Sequence, residues 1–397
     1  MEMITNILVE CIELIPSVRV GVLEPLKLLA EQDRCNLQFK RTSNIKIKDI
    51  EWADVIISVR GSEYSTLRIV EIAKRLGKFI IYFLDDDLLN IPQDCKSTLY
   101  YSSHDIKSNI IAIIGYSNIL WCVNKNIALK YSKYCNNNYA IERVPVEISK
   151  YNPIKEESVI RIVYAGSVDH EREIKEFISP AVIKICKELG EKVEFTFIGV
   201  NPAISGIKNV KYIEYIDSYD SYKKIMSGSS FNIGISPIYE TEFYKCKYYN
   251  KFIEYTSINV AGIYTNSEPY NFVVQNEVNG FLVNNSSAEW YEALKKIITN
   301  EELRKKCIIN ARVLVEKDFS YEIVTDRLIK DIPQLLNYKS PKMYVNKVYL
   351  RFLYSLKVFD KIKLWWNLYN IRIVPMVFKK IVNKMYKSTK KYFGKNI

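Results

Sequence analysis

Residues 231–284 read FNIGISPIYETEFYKCKYYNKFIEYTSINVAGIYTNSEPYNFVVQNEVNGFLVN. The run Phe231 to Ile238 is β-type and is closed by Pro237 and polar residues. A loop carrying Glu242, Lys245 and Lys247 follows, then a helix with Lys251 and Glu254. An apolar strand around Asn259 to Tyr264, a turn at Ser267-Glu268-Pro269 and a turn at Asn279-Gly280 lead into a last strand, Gly280 to Val283. Strand, loop, helix and strand in that order make a β-α-β unit, whose ligands sit beyond the carboxyl ends of the strands. Lys247, Lys251 and Glu254 fall at i, i+4 and i+7, a spacing that predicts one helix face with two cations and one carboxylate. Cations suit phosphate oxygens, and a carboxylate can accept from a pair of ribose hydroxyls. A plain solvated charged face has the same spacing.

The ordered set Pro237, Lys247-x3-Lys251-x2-Glu254-Tyr255, Ala261-Gly262-Ile263, and Val274 through Asn279-Gly280-Phe281-Leu282-Val283 spans about fifty residues. It resembles the donor-binding core of the large group 1 (family 4-like) family of nucleotide-sugar glycosyltransferases. The resemblance implies a GT-B fold, in which two Rossmann-like domains face each other across a cleft. It also implies a nucleotide-diphosphate-sugar as co-substrate, no other cofactor, no metal required for the chemistry, and retention of configuration with the leaving phosphate taking the acceptor's proton. Phe243, Lys247, Lys251 and Glu254 are then donor-binding residues. One departure stands out: much of the family has two glutamates eight positions apart, and eight before Glu254 stands Cys246.

A chain of 397 residues has room for two or three domains, each with its own core. An apolar content of 48% with 26% charged residues is that of a globular chain rather than a disordered one. The eight cysteines form no Cys-x-x-Cys pair and only His104 and His170 accompany them, which argues against a zinc site. They read as reduced, buried thiols of a cytoplasmic protein. The N-terminus lacks the basic-then-apolar pattern of a signal peptide, and no window of about 18 uncharged apolar residues predicts a spanning helix. Charge is uneven. Residues 338–397 hold 15 Lys and Arg against one acid, Asp360, a net +14 in a chain whose total is +12, which leaves −2 for residues 1–337.

From the start of the chain, Ile4 to Glu10, Ala53 to Val59 and Phe79 to Phe83 read as buried strands, and Ser117 to Val123 as a further one. Helices are expected at Leu23 to Glu31, at Ser65 to Leu76 (closed by Gly77) and at Lys125 to Tyr134. Strands alternating with helices predict a parallel, Rossmann-like sheet. Arg19, Arg60 and Asp85-Asp86-Asp87 all follow strands, at the functional edge of such a sheet. The same family has an arginine after its first strand, another after "AD-V-V", and a "DDDL" after its "GK-x-V-Y" strand. On that resemblance Arg19 and Arg60 are acceptor-side residues and Asp85 and Asp87 join Glu254 as catalytic candidates, one of the aspartates serving as base if the enzyme inverts. A triple aspartate is also similar to the Asp-x-Asp metal motif of the other glycosyltransferase fold. His104 reads as a surface histidine.

Glu147 to Ser158 reads as a linker, so the division is 1–150 (acceptor-side domain), 151–337 (donor-binding domain) and 338–397 (basic amphipathic tail). The second domain opens with the strand Val159 to Ala165 and then Gly166, Ser167, His170 and Arg172. A strand, a glycine and a helix start form a phosphate cradle. A subset of the family carries a Gly-Ser/Thr loop followed by His, which these residues match, and Arg172 takes the place of the family's lysine. Asp318-Phe319-Ser320-Tyr321 resembles the family's "F-S-W" before a helix that crosses back to the first domain. In the tail, apolar residues at helical spacing are interleaved with Lys347, Arg351, Lys357 and Lys361, and Trp365-Trp366 follows. Basic aromatic helices suit an anionic membrane surface; a nucleic-acid arm and a helix packed on the body are the alternatives, the arm being disfavoured by the many bulky apolar residues. The resulting expectation is a glycosyltransferase peripheral to the inner face of a membrane, acting on a lipid-linked or other glycan acceptor in cell-surface polysaccharide assembly. A sugar-nucleotide epimerase of the same fold and a catalytically idle binding protein are the rivals.

Overall fold

The computed structural model describes residues 4–93, 95, 97–141, 143–150 and 158–356. Twelve strands lie among them: β1 (Thr5–Cys11), β2 (Cys35–Arg41), β3 (Val55–Val59), β4 (Phe79–Leu84), β5 (Ile119–Cys122), β6 (Tyr139–Ile141), β7 (Ile160–Ala165), β8 (Val193–Ile198), β9 (Val210–Ile213), β10 (Ile233–Ser236), β11 (Ala261–Thr265) and β12 (Phe281–Val283). They form two six-stranded sheets, ordered β2-β1-β3-β4-β5-β6 and β12-β11-β10-β7-β8-β9. Every neighbouring pair is parallel. In β3 (VIISV) and β4 (FIIYFL) every residue is buried, as expected of parallel strands covered by helices on both faces. Alternate residues feed opposite cores. Ile7, Val9, Ile57 and Ile81 pack with Val22, Leu26 and Leu29, whereas Leu8, Ile56 and Ile80 pack with Ile69, Ile110 and Ile113.

In each sheet the strand order reverses beside the first strand, between β1 and β3 in one lobe and between β7 and β10 in the other. Ligands of open parallel sheets bind at such reversals, beyond the carboxyl ends of the strands. In each lobe the helix after the first strand contains a π-helical turn, Arg19–Leu23 and Ile174–Ile178, a distortion often found at functional sites.

The expected crossing is present. The helix Tyr321–Asp331 and the short helix Gln334–Asn337 return to the first lobe. The boundary drawn at residue 338 needs correction, because 338–356 belong physically to that lobe. Tyr338 packs its ring on Phe79 with 5.2 Å between centroids and donates to the Gly77 carbonyl at 2.8 Å. Asp54 accepts from Lys339 Nζ at 2.8 Å and from the Ser340 amide at 3.1 Å. The helix 347–356 then buries Leu350 and Leu353 in the core containing Ile50 and Ile69, and Tyr354 donates to the Ile45 carbonyl at 2.7 Å. Its outer face keeps Lys347, Val348, Arg351 and Phe352 exposed. Lys357, Lys361, Trp365 and Trp366 lie outside the described residues. His104 is exposed at the start of the helix His104–Tyr116, as expected.

The Asp54 clasp makes a testable pH dependence. Burial pushes the Asp54 carboxyl up, but Lys339 and the amides of Asn6 and Ser340 outweigh it and hold the carboxyl below its ordinary value. A depressed folded-state pKa contributes stability that is complete above the unfolded value, about 4, and is lost as pH falls through the folded one. Hydrogen exchange of residues 338–343 is therefore expected to accelerate, relative to the rest of the first lobe, as the pH falls below about 4. Exchange there that tracks the whole lobe at every pH would show that the clasp contributes nothing of its own.

Candidate functional site

The second lobe's edge is built from the ends of β7 and β10. Gly166 follows β7, and a Cβ there would stand 2.2 Å from Tyr164 Oη, so any larger residue would have to displace that buried ring. Its amide donates to the Ile198 carbonyl at 3.1 Å, so Gly166 is held by the neighbouring strand. Ser167 and the turn Val168–His170 follow and lead into Glu171–Glu173. Arg172 is exposed, its guanidinium 5.3 Å from the centre of the Tyr239 ring.

After β10 the chain runs through the turn Tyr244–Cys246 before the helix Asn250–Ser257 begins. Lys247 therefore precedes that helix in extended backbone, and the expected single helix face carrying Lys247, Lys251 and Glu254 does not form. The buried Tyr248 and half-buried Tyr249, stacked with 4.2 Å between ring centres, take up the positions where another helical turn would lie. Lys247 instead lies 4.7 Å over the Phe243 ring and reaches Asp86 of the first lobe at 3.2 Å. Lys251 and Glu254 do share a helix face and meet at 2.5 Å, with Lys251 also 2.9 Å from Tyr222 Oη.

The first lobe presents Arg60 at the end of β3, in left-handed backbone with φ of 53°. Non-glycine residues adopt that region at a cost, and such strain concentrates at functional sites. The guanidinium is 3.3 Å from Asp85 and 3.8 Å from Asp86. Burial alone would lower its pKa, but the two aspartates prevail and raise it, so it stays charged. Arg60, Asp85, Asp86 and Lys247 thus form one alternating chain of charge across the cleft. Arg19 sits elsewhere, paired with Asp220 at 2.9 Å and Glu24 at 3.3 Å, so it ties the rim of the first lobe to the helix Tyr219–Gly228 of the second.

Asp87 requires correction as a catalytic candidate. It is fully buried, and its oxygens accept from Tyr131 Oη at 2.6 Å, Lys130 Nζ at 2.9 Å and Asn90 Nδ2 at 2.8 Å. A carboxylate so enclosed holds the lobes' contact and is not placed to touch a substrate. Cys246 completes its surroundings with a thiol 3.8 Å away, pushed up to about 11 by burial and by the Asp87 charge, so it remains a donor. A glutamate at 246 would set a second carboxylate against Asp87 in the same enclosed space, which accounts physically for the departure noted in the sequence.

Several interlobe residues escaped the sequence reading. Asn124 caps the helix Lys125–Tyr131 by accepting from the Asn126 amide, while its Nδ2 donates to the carbonyls of Lys245 and Lys247 at 3.0 and 2.8 Å. Asn126 Nδ2 donates to Glu268 at 2.6 Å. The available signal was Asn124 directly after a strand and before a helix, at the edge where ligands and partner lobes meet.

Two parallel, doubly wound sheets facing each other across a cleft define the GT-B fold. No protein-family profile and no curated protein matches the sequence. Solved structures do match. HepE of Anabaena in complex with UDP and glucose superposes with a TM-score of 0.59 at 11% identity, covering 83% of this chain and 100% of that one. A glycosyltransferase from Rickettsia africae gives 0.56 at 13% identity over 85% and 100% of the two chains. A putative UDP-N-acetylglucosamine 2-epimerase from Listeria monocytogenes gives 0.54 at 11% identity over 87% and 100%. At these identities the likeness is one of fold.

Proposed function

We propose that this chain is a glycosyltransferase that takes its sugar from a UDP-sugar held in the cleft. The observation that carries the reading is the meeting of Lys247 with Asp86, which joins the cations after β10 to the charged edge of the other lobe. Gly166, Ser167, Arg172, Lys247 and Lys251 are assigned to the diphosphate, with Glu254 assigned to the ribose hydroxyls. HepE, which shares the fold, is bound to UDP and glucose, and that supports the choice of nucleotide. As the bond from the sugar's anomeric carbon to the diphosphate breaks, negative charge grows on the leaving UDP, and fixed cations stabilise it. The acceptor hydroxyl then bonds to that carbon and gives its proton to a phosphate oxygen, with retention. A donor screen by thermal unfolding tests this directly, since a ligand at 100 times its dissociation constant stabilises by about 2.7 kcal/mol. UDP and one UDP-sugar are expected to stabilise the chain; no response to any nucleoside diphosphate would count against the reading. An epimerase is the second reading, favoured by the Listeria structure, and would yield an altered UDP-sugar with no transfer.

Each aspartate of the triplet already faces a cation, Arg60, Lys247 or Lys130. Activity is therefore expected to survive a chelator. Complete loss with EDTA, restored by manganese or magnesium, would reassign Asp85 and Asp86 as metal ligands.

The acceptor is proposed to be lipid-linked, and the chain to sit on an anionic membrane surface through its C-terminal region. No helix among the described residues is long and apolar enough to cross a membrane. Support comes from the outer face of the helix 347–356, where Val348 and Phe352 are exposed, each next in sequence to a cation, Lys347 and Arg351. Because 338–356 are part of the first lobe, the informative truncation removes 357–397, which hold eleven Lys and Arg and Asp360. Each basic residue near an anionic surface contributes about 1 kcal/mol, weakened by salt. Full-length protein is expected to bind phosphatidylserine-containing vesicles and the truncated chain to leave them while staying folded. Equal binding by both would remove the tail from this role.

A further inference from the structure

We propose that Glu173, with His170 beside it, reads hydroxyls of the donor's sugar; the inference rests on the UDP-sugar reading above. Glu173 lies seven residues beyond Gly166, on the helical turn that follows β7, and is 1% exposed. Its Oε1 accepts from Tyr244 Oη at 2.7 Å. Its Oε2 is buried with no hydrogen bond, and so is His170 Nδ1, which stands 3.4 Å from Oε1. Tyr244 comes from the loop after β10, and its ring faces that of His170 at 5.7 Å. The group is thus assembled from the ends of β7 and β10, the two strands between which the order of this sheet reverses.

A buried carboxylate oxygen and a buried ring nitrogen are each costly to leave unpaired, and here two stand side by side. A hydroxyl supplies both needs, since its hydrogen goes to Oε2 and its oxygen accepts from the imidazole N–H. Adjacent hydroxyls on a hexose match such a pair, whereas a phosphate, itself an anion, is repelled by Glu173. His170 is the more open of the two, its side chain 21% exposed against 1%. Cys246 does not compete for this role, because its thiol lies against Asp87.

The test titrates wild type, Glu173→Gln and His170→Ala by calorimetry with UDP, UDP-glucose, UDP-galactose and UDP-N-acetylglucosamine. Glutamine keeps an acceptor for Tyr244 but removes the charge. UDP is expected to bind all three proteins alike. The UDP-sugar that wild type holds most tightly is expected to bind Glu173→Gln roughly tenfold or more weakly, the loss of a charge-assisted hydrogen bond, and His170→Ala to shift in the same direction. An unchanged ratio of UDP-sugar to UDP affinity in both variants overturns the inference, as does an equal loss for UDP and UDP-sugar, which would make Glu173 a support of the loop. Should Glu173→Gln unfold, His170→Ala decides alone by the same ratio. Wild type that binds no UDP would be the separate failure of the nucleotide reading.

Discussion

Glu254→Ala is expected to weaken UDP binding roughly 10- to 150-fold while leaving the melting temperature nearly unchanged, because a charge-assisted hydrogen bond lost from a partly buried site is worth about 1.5–3 kcal/mol. The residue lies on the outer side of the helix Asn250–Ser257, whose inner side buries Phe252, Ile253 and Tyr255. Removing a carboxylate that is partly open to water there leaves no enclosed cavity. Its partner Lys251 keeps Tyr222 at 2.9 Å. The loss is therefore expected to appear in ligand affinity rather than in folding. Lys247→Ala is expected to weaken UDP similarly for a different reason, the missing cation, and to release Asp86 as well. Calorimetric titration of both variants with UDP measures this, and affinities equal to wild type would withdraw the assignment of these residues to the donor.

Asp87→Ala should do the opposite, costing stability first. It removes the acceptor of three side-chain donors at once in a wholly buried place. Breaking one partner of a buried ion pair costs about 3–5 kcal/mol, and the lower end applies because Lys130 is partly exposed and can turn to water. Tyr131 has no such escape. Its hydroxyl is nearly enclosed, and burial together with the Asp87 charge holds its pKa far above the ordinary range. A loss of about 3 kcal/mol in denaturant unfolding is expected, together with faster hydrogen exchange in the interlobe loop at 242–247. A variant with wild-type stability but no turnover would instead return Asp87 to the catalytic set.

How far the sequence could be read depended on how local the physics was. Runs such as VIISV and FIIYFL announce fully buried strands, and β1, β3, β4, β7 and β10 were legible for that reason. The edge strands β2 (CNLQFKR) and β6 (YAI) were not, because their mixed burial leaves no continuous apolar run. The spacing of Lys251 and Glu254 was sound, but extending it back to Lys247 assumed a helix that starts only at Asn250. What spacing could not show at all was contact between distant segments. Lys130 lies 112 residues from Glu242 and 43 from Asp87, yet touches both. The same holds for 338–356, whose apolar spacing suits a membrane surface and packing on the body alike; Leu350 and Leu353 in fact pack in the first lobe's core.

The central claim is that the bond broken is the one between the sugar and UDP, with the sugar passed on. Chromatographic separation and NMR and mass analysis of the products formed from a UDP-sugar by full-length protein, with and without a lipid-linked glycan acceptor, test it most directly. UDP released in step with a glycosylated acceptor, and abolished by Glu254→Ala, is the expected result. An intact UDP-sugar recovered as its epimer, or left untouched by a chain that binds no UDP, would contradict it.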